Sequence, residues 1–178
     1  MDKSTKVASP TAATATAAAK RTRILALDYG RARIGMALAD EEARLACPLG
    51  TLERINRNED MRRLREIASE HGVKQIIVGL PLHMDGSRGE MAEEAARFAE
   101  RLRKQIGLPV ELLDERLTSW EAERILEEEL GKKFVQKNSE HGHAKKKKED
   151  GRMSVDAVAA MVILREYLEQ TLPAKELP

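Results

Sequence analysis

The sequence predicts a single α/β domain whose mixed sheet has an antiparallel meander at one edge and parallel strands beyond it. Three observations carry that prediction. Two short apolar runs flank a tight turn near residue 30. Helical and extended patterns then alternate along the chain. And 178 residues leave room for one domain of ordinary size, 42% hydrophobic and therefore able to bury a core.

Residues 1–22 are rich in Ala and Thr and lack large apolar side chains, so they cannot repay the entropy of ordering and read as a disordered basic tail. They also lack the leucine-rich core and the charge order of a signal peptide. Arg23 to Leu27 (RILAL) is a first strand, closed by Asp28-Tyr29-Gly30. Arg33 to Ala39 is a second strand, where Gly35 permits close backbone approach. Ala43 to Leu52 is a third, although Pro48 interrupts it. Met61, Leu64, Ile67 and Ala68 recur at helical spacing, and Gly72 stops that helix. Lys74 to Val78 is a buried strand that runs into a glycine-bearing loop, Gly79 to Ser87. Ser87 with Glu90 forms a capping-box pattern before a helix striped by Met91, Ala95, Phe98 and Leu102. Val110 to Leu113 is the next strand, ending in Asp114-Glu115-Arg116. Thr118 with Glu121 repeats the capping box ahead of a helix that stops at Gly131. Residues 131–152 are basic, with almost nothing to bury after Val135, and read as a mobile loop. Met153 to Gln170 is a last, mostly apolar helix packed on the sheet, and residues 171–178 form a C-terminal tail.

Several function classes drop out. A single cysteine, Cys47, excludes a disulfide framework and a cysteine-cluster zinc site, and reads as a small buried hydrophobe. No apolar run approaches the ~20 residues of a membrane span. Five aromatic residues are too few for a platform that stacks single-stranded bases. A soluble, reducing, cytoplasmic setting is the expectation. The overall charge nearly cancels, with 31 Lys and Arg against 30 Asp and Glu, yet it is segregated. Residues 1–23 carry +4 and residues 131–152 carry +5, which leaves −8 on the remainder. The basic stretches suit a polyanion, or simply solubilise the chain.

Three acidic positions stand where acids are awkward. Asp28 closes one apolar strand, Asp114-Glu115 close another, and Asp156 lies inside the apolar run Val155 to Leu164. Each has an ordinary explanation: a turn former, a surface ion pair with Arg116, a first-turn helix acid. The ends of the Asp28 and Glu115 strands should lie on the one rim where functional groups gather in open α/β sheets, and if the first turn of the last helix faces that rim, Asp156 joins them. Carboxylates converging there would repel one another unless divalent cations occupied the site, and oxygen donors suit Mg²⁺ or Mn²⁺. Two such ions can cleave a phosphodiester. The four histidines show no such ligand spacing beyond a weak His141-Gly142-His143 pair.

The segments LALDYGRARIGMALAD, QIIVGLPLHMDGS, ELLDERLTSWEAE and SVDAVAAMVIL resemble, in order and over nearly all of Arg23 to Gln170, the YqgF/RuvX family. Its members are described as Holliday-junction resolvases and as nucleases that process the 5′ end of pre-16S rRNA. The resemblance implies an RNase H-like five-stranded sheet with helices on both faces, spanning residues 23–170. It also implies a divalent-metal site built from Asp28, Glu115 and Asp156, with Asp114 open as an alternative to Glu115. Arg31, Arg33, Lys147 and Lys148, the last two within the lysine run 145–148, would meet substrate phosphates. The alanine-rich tail and the long basic loop depart from the family pattern. The expected partner is structured RNA of the pre-ribosomal small subunit, bound by a monomer or homodimer, with no membrane contact.

Three other readings stand beside this one. The same chemistry could act on four-way DNA junctions, which would call for a symmetric dimer. The scaffold could serve as a non-catalytic RNA-binding assembly factor. Asp-x-Gly after a first strand also opens sugar kinases and actin-like ATPases, but those close two lobes over ATP and this chain supplies one.

Overall fold

In the computed structural model, residues 22–40, 42, 44–116 and 154–171 are described. Five strands form one sheet in the order β3-β2-β1-β4-β5. They are β1 (Arg23–Tyr29), β2 (Arg33–Asp40), β3 (Leu45–Glu53), β4 (Val73–Leu80) and β5 (Val110–Asp114). β1 pairs antiparallel with β2, and β2 with β3, while β1, β4 and β5 run parallel. This is the mixed five-stranded sheet, with a meander at one edge and parallel strands beyond it, that the sequence led us to expect.

Alternation along β1 divides the core. Leu25, Leu27 and Tyr29 face a cluster with α1 (Arg57–Glu70) and α2 (Glu90–Ile106). Ile24 and Ala26 face the other cluster, against α3 (Val155–Thr171). Asp28 therefore belongs to the α3 face. Helices do cover both faces. Among the described residues, no helix is long and apolar enough to cross a membrane.

Local chemistry sets the element ends. Asn56 caps α1 by accepting from the backbone N–H groups of Asn58 (3.1 Å) and Glu59 (3.0 Å). Gly72, at φ +63°, turns the chain out of it. Pro48 is tolerated because β3 is an edge strand, and the β2–β3 register shifts beside it, between Met36 and Ala37.

Some expectations need correction. β1 continues through Asp28, so that residue sits within the strand instead of closing it. Gly79 and Leu80 likewise belong to β4 and not to the loop. Ser87 does not cap α2: its hydroxyl and N–H both bond Asp85 Oδ1, at 2.6 and 2.8 Å, and Gly89 takes the cap position with no side-chain bond. Asp85, two residues upstream, outcompetes the helix for that hydroxyl. Cys47 is exposed, because the edge strand buries Ala46 and turns its neighbours outward. The terminal tails, the second capping box and the basic loop lie outside the described residues.

Candidate active site

Asp28 sits near the C-terminal end of β1, flanked by two glycines. Gly35 of β2 is its register partner, and Gly79 of β4 lies one step beyond the Leu27–Val78 pair. Neither glycine has a positive φ; each is needed for the space it leaves. A Cβ on Gly35 would land on the backbone carbonyl of Asp156. A Cβ on Gly79 would land on the Glu115 carboxylate and 2.7 Å from Ile163 Cδ1. The two missing side chains thus admit Asp156 from α3 and Glu115 from the end of β5 to either side of Asp28.

Each incoming acid is positioned by its backbone. Glu115 follows β5 directly, and its N–H bonds the Leu80 carbonyl at 3.2 Å, extending the β4–β5 ladder by one step. Asp156 is the second residue of α3. Ser154 caps that helix through the Ala157 N–H (3.2 Å) and also hydrogen-bonds Thr51 of β3, which pairs with Gly35. The Asp114 carboxylate is engaged elsewhere. It is held by Arg116 at 2.6–2.7 Å, which lowers its pKa from the ordinary value. Of the adjacent pair, Glu115 is the one beside Asp28.

The electrostatics follow from crowding. Burial, and then the charge of Asp156, push Asp28 from 3.8 up to about 6. Burial, followed by Asp28 and Asp114, pushes Glu115 from 4.5 up to about 8. Asp156 is turned toward Arg33, with Nε to Oδ2 at 3.2 Å. Among the described residues, no three acidic, histidine or cysteine side chains stand close enough together to hold one ion. The acids form two pairs that share Asp28. The donor set nonetheless fits a hard divalent cation: it is all oxygen, and its two inner members are held above the usual carboxylate range by burial and repulsion that a cation would relieve.

The expected phosphate contacts are already engaged. Arg31 bridges Glu90 and Glu94, each at 2.9 Å, and Arg33 holds Asp156. Lys147 and Lys148 lie outside the described residues. Sequence reasoning missed the space-making role of Gly79 and the polar staple of Ser154 on Thr51. It also missed buried Asp60, which accepts from Arg54 Nε and the Ile55 N–H, both at 3.0 Å. That pair holds the segment between β3 and α1, and Arg54 reaches on to the Tyr29 hydroxyl at 2.9 Å.

A family model and curated relatives agree on the kinship of this chain. A family model described as RuvX, Holliday junction resolvase, matches residues 22–170. A relative from Anaeromyxobacter dehalogenans, named "Putative pre-16S rRNA nuclease", is 41% identical over 85% of this chain and 99% of its own length. One of the same name from Chloroflexus aurantiacus is 42% identical over 82% of this chain and 86% of its own. Among solved structures, Thermus thermophilus RuvC in complex with a Holliday junction substrate aligns at 13% identity and a TM-score of 0.49, covering 83% of this chain and 94% of that one.

Proposed function

The chain belongs to the RuvX family, and on that premise we propose that it is a divalent-cation-dependent endonuclease of the cytoplasm that processes the 5′ end of pre-16S rRNA during ribosome biogenesis. One observation carries the reading: Asp28 and Glu115, raised to about 6 and about 8, crowd together at the C-terminal ends of the parallel strands β1 and β5, with Asp156 on the other side of Asp28. A fold that served only stability would gain by replacing such a pair with apolar side chains. The names carried by relatives at about 40% identity supply the substrate.

Asp28, Glu115 and Asp156 would hold Mg²⁺ or Mn²⁺, which when bound polarises the scissile phosphate and acidifies the attacking water. The chain's own residues prepare that chemistry. Gly35 and Gly79 leave the volume that lets the outer acids close on Asp28. Arg33 orients Asp156 through its 3.2 Å ion pair, and a substrate phosphate would compete with that carboxylate for the guanidinium. Arg31 can exchange its carboxylates for phosphate, and Lys147 and Lys148 would add positive charge for the same polyanion. Burial and the charge of Asp28 favour the protonated form of Glu115, so holding a cation there would call for that proton to leave.

The test is Mn²⁺-dependent cleavage of a pre-16S rRNA 5′ fragment, set beside a four-way DNA junction. We compare the parent chain with Asp28→Asn, Glu115→Gln and Asp156→Asn. The parent should cut the RNA, and each variant should lose at least about 10²-fold in rate while remaining folded. Full activity in Asp28→Asn would overturn the site. Preferential cutting of the junction would move the substrate to DNA, and tight RNA binding without cleavage by any divalent ion would make the chain an assembly factor.

A further inference from the structure

The acids of the site lie on the α3 face of the sheet; a concentration of cations lies on the other face, along α2. Arg97, Arg101 and Lys104 recur at i, i+4 and i+7, so they share one side of the helix over about 10 Å. An open depression of about 540 Å³ beside them is lined by Arg88, Arg97, Arg101, Arg103 and Lys104, with Glu100 as its acid. Glu100 is already paired with Arg103, so it leaves the depression positive.

Arg101 distinguishes this surface from an ordinary solvated charge run. Its Nε is sealed from solvent and has no hydrogen-bond partner. Burial, together with the neighbouring charges of Arg57, Arg54 and Arg97, pushes its pKa down. A guanidinium does not give up its proton in a protein, so the group stays charged and its donor stays unsatisfied. The nearby acids cannot serve it. Asp60 is held by Arg54, and Glu94, whose charge Arg97 also feels, is held by Arg31. Arg57 and Arg97 are exposed and make no ion pair among the described residues. What the cluster lacks is an anion with several acceptor oxygens, and a guanidinium fork matches phosphate in two parallel bonds.

We propose that this face of α2, with Arg57 from the start of α1 beside Arg97, Arg101 and Lys104, binds backbone phosphates of the RNA substrate away from the bond that is cut. The choice of RNA as the polyanion rests on the nuclease reading above. Tyr29 faces α2 while Asp28 faces α3, so a bound RNA spans the strand-end rim, anchored on one face and cut on the other. A long structured substrate engages both surfaces, which a fragment of a few nucleotides cannot do.

The test uses the full chain carrying Asp28→Asn to prevent cleavage, with and without Arg57→Gln plus Arg97→Gln. Both arginines are exposed, so the fold is retained, and a thermal melt checks it. Anisotropy of a fluorescein-labelled pre-16S rRNA 5′ fragment is followed from 50 to 300 mM salt (the two ends about six-fold apart, a range over which phosphate contacts lose affinity steeply). The double variant should bind at least about tenfold more weakly at low salt, with the slope of log K against log salt reduced by about 1 to 2. Lys74→Gln, which removes an exposed charge elsewhere, should leave the slope as it is. Unchanged affinity and slope in the double variant would overturn the phosphate site and leave the nuclease reading intact. Weakened binding in a protein whose parent cuts no pre-16S rRNA would do the reverse.

Discussion

The acidic pair makes a sharp statement about stability. Without a divalent ion, the chain should become less stable as pH rises from about 4 to about 8. Asp28 titrates at about 6 in the folded protein against 3.8 ordinarily, and Glu115 at about 8 against 4.5. Between those values the folded state holds protons that the unfolded state has released, so the slope of stability against pH is negative. The stabilisation is complete below the unfolded values and is lost as pH passes the folded ones. At about 1.4 kcal/mol per pH unit, the full loss is on the order of 3 kcal/mol for Asp28 and 5 kcal/mol for Glu115. Acids with lowered pKa values, such as Asp114 and Asp85, act in the opposite sense near pH 4. They are common to parent and variant, so the comparison is with Asp28→Asn plus Glu115→Gln. In EDTA the two thermal melts should nearly coincide at pH 4, and at pH 8 the variant should melt on the order of 10 °C higher. Adding Mg²⁺ or Mn²⁺ at pH 8 should raise the parent and leave the variant where it was. Parallel curves from pH 4 to 8 would refute the crowding argument, because the two carboxyls would then titrate alike in folded and unfolded chains.

Two further substitutions probe the geometry. Gly79→Ala should drive the Glu115 carboxylate out of its place, so cleavage should fall at least about 10²-fold. The unfolding free energy from urea denaturation should change by less than about 2 kcal/mol at pH 7, since expelling a half-buried acid offsets the strain against Ile163; full activity would show that the carboxylate is not needed there. Asp60→Ala removes the partner of Arg54 and of the Ile55 N–H, and should cost about 3–5 kcal/mol in urea unfolding. Asp60→Asn keeps one acceptor for Ile55 and should cost measurably less; equal losses would mean that the carboxylate's charge is immaterial to the pairing.

The legible part of the site was its charge in the wrong company. Asp156 within an apolar helix and Asp28 at the end of an apolar strand stand out because burying a carboxylate is expensive, whatever the fold. The choice between Asp114 and Glu115 was not legible: adjacent residues differ only in direction, and direction depends on where β5 ends and on Arg116 taking Asp114. Gly79 was read as a loop residue because its role is a volume left for a side chain 36 positions away. The Ser87–Glu90 pattern was present, yet Asp85 was the better partner for the hydroxyl. Cys47 was read by residue type, while its exposure is decided by the strand's place at the sheet edge. The cations of α2 could be counted in the sequence, but the unsatisfied Arg101 Nε is a property of its packing alone.

The position of Asp156 shows why a site acid depends on more than its own helix. Ala160 to Leu164 are five consecutive buried residues, so α3 has no single apolar stripe to fix its rotation about its axis. Hydrophobic burial would accept several rotations, and only some bring the second residue of the helix toward Asp28. Two contacts at its first turn remove that freedom: Ser154 bonds Thr51, and the backbone at Asp156 rests on Gly35. Thr51 and Gly35 are register partners on β3 and β2, and Gly35 is the register partner of Asp28. One line across the sheet therefore carries the staple, the clearance and the central acid together. A slip of one residue in the β1–β2 register would turn Asp28 to the opposite face and break all three at once. The meander at the sheet edge thus sets the geometry of an acid that arrives more than a hundred residues later in the chain.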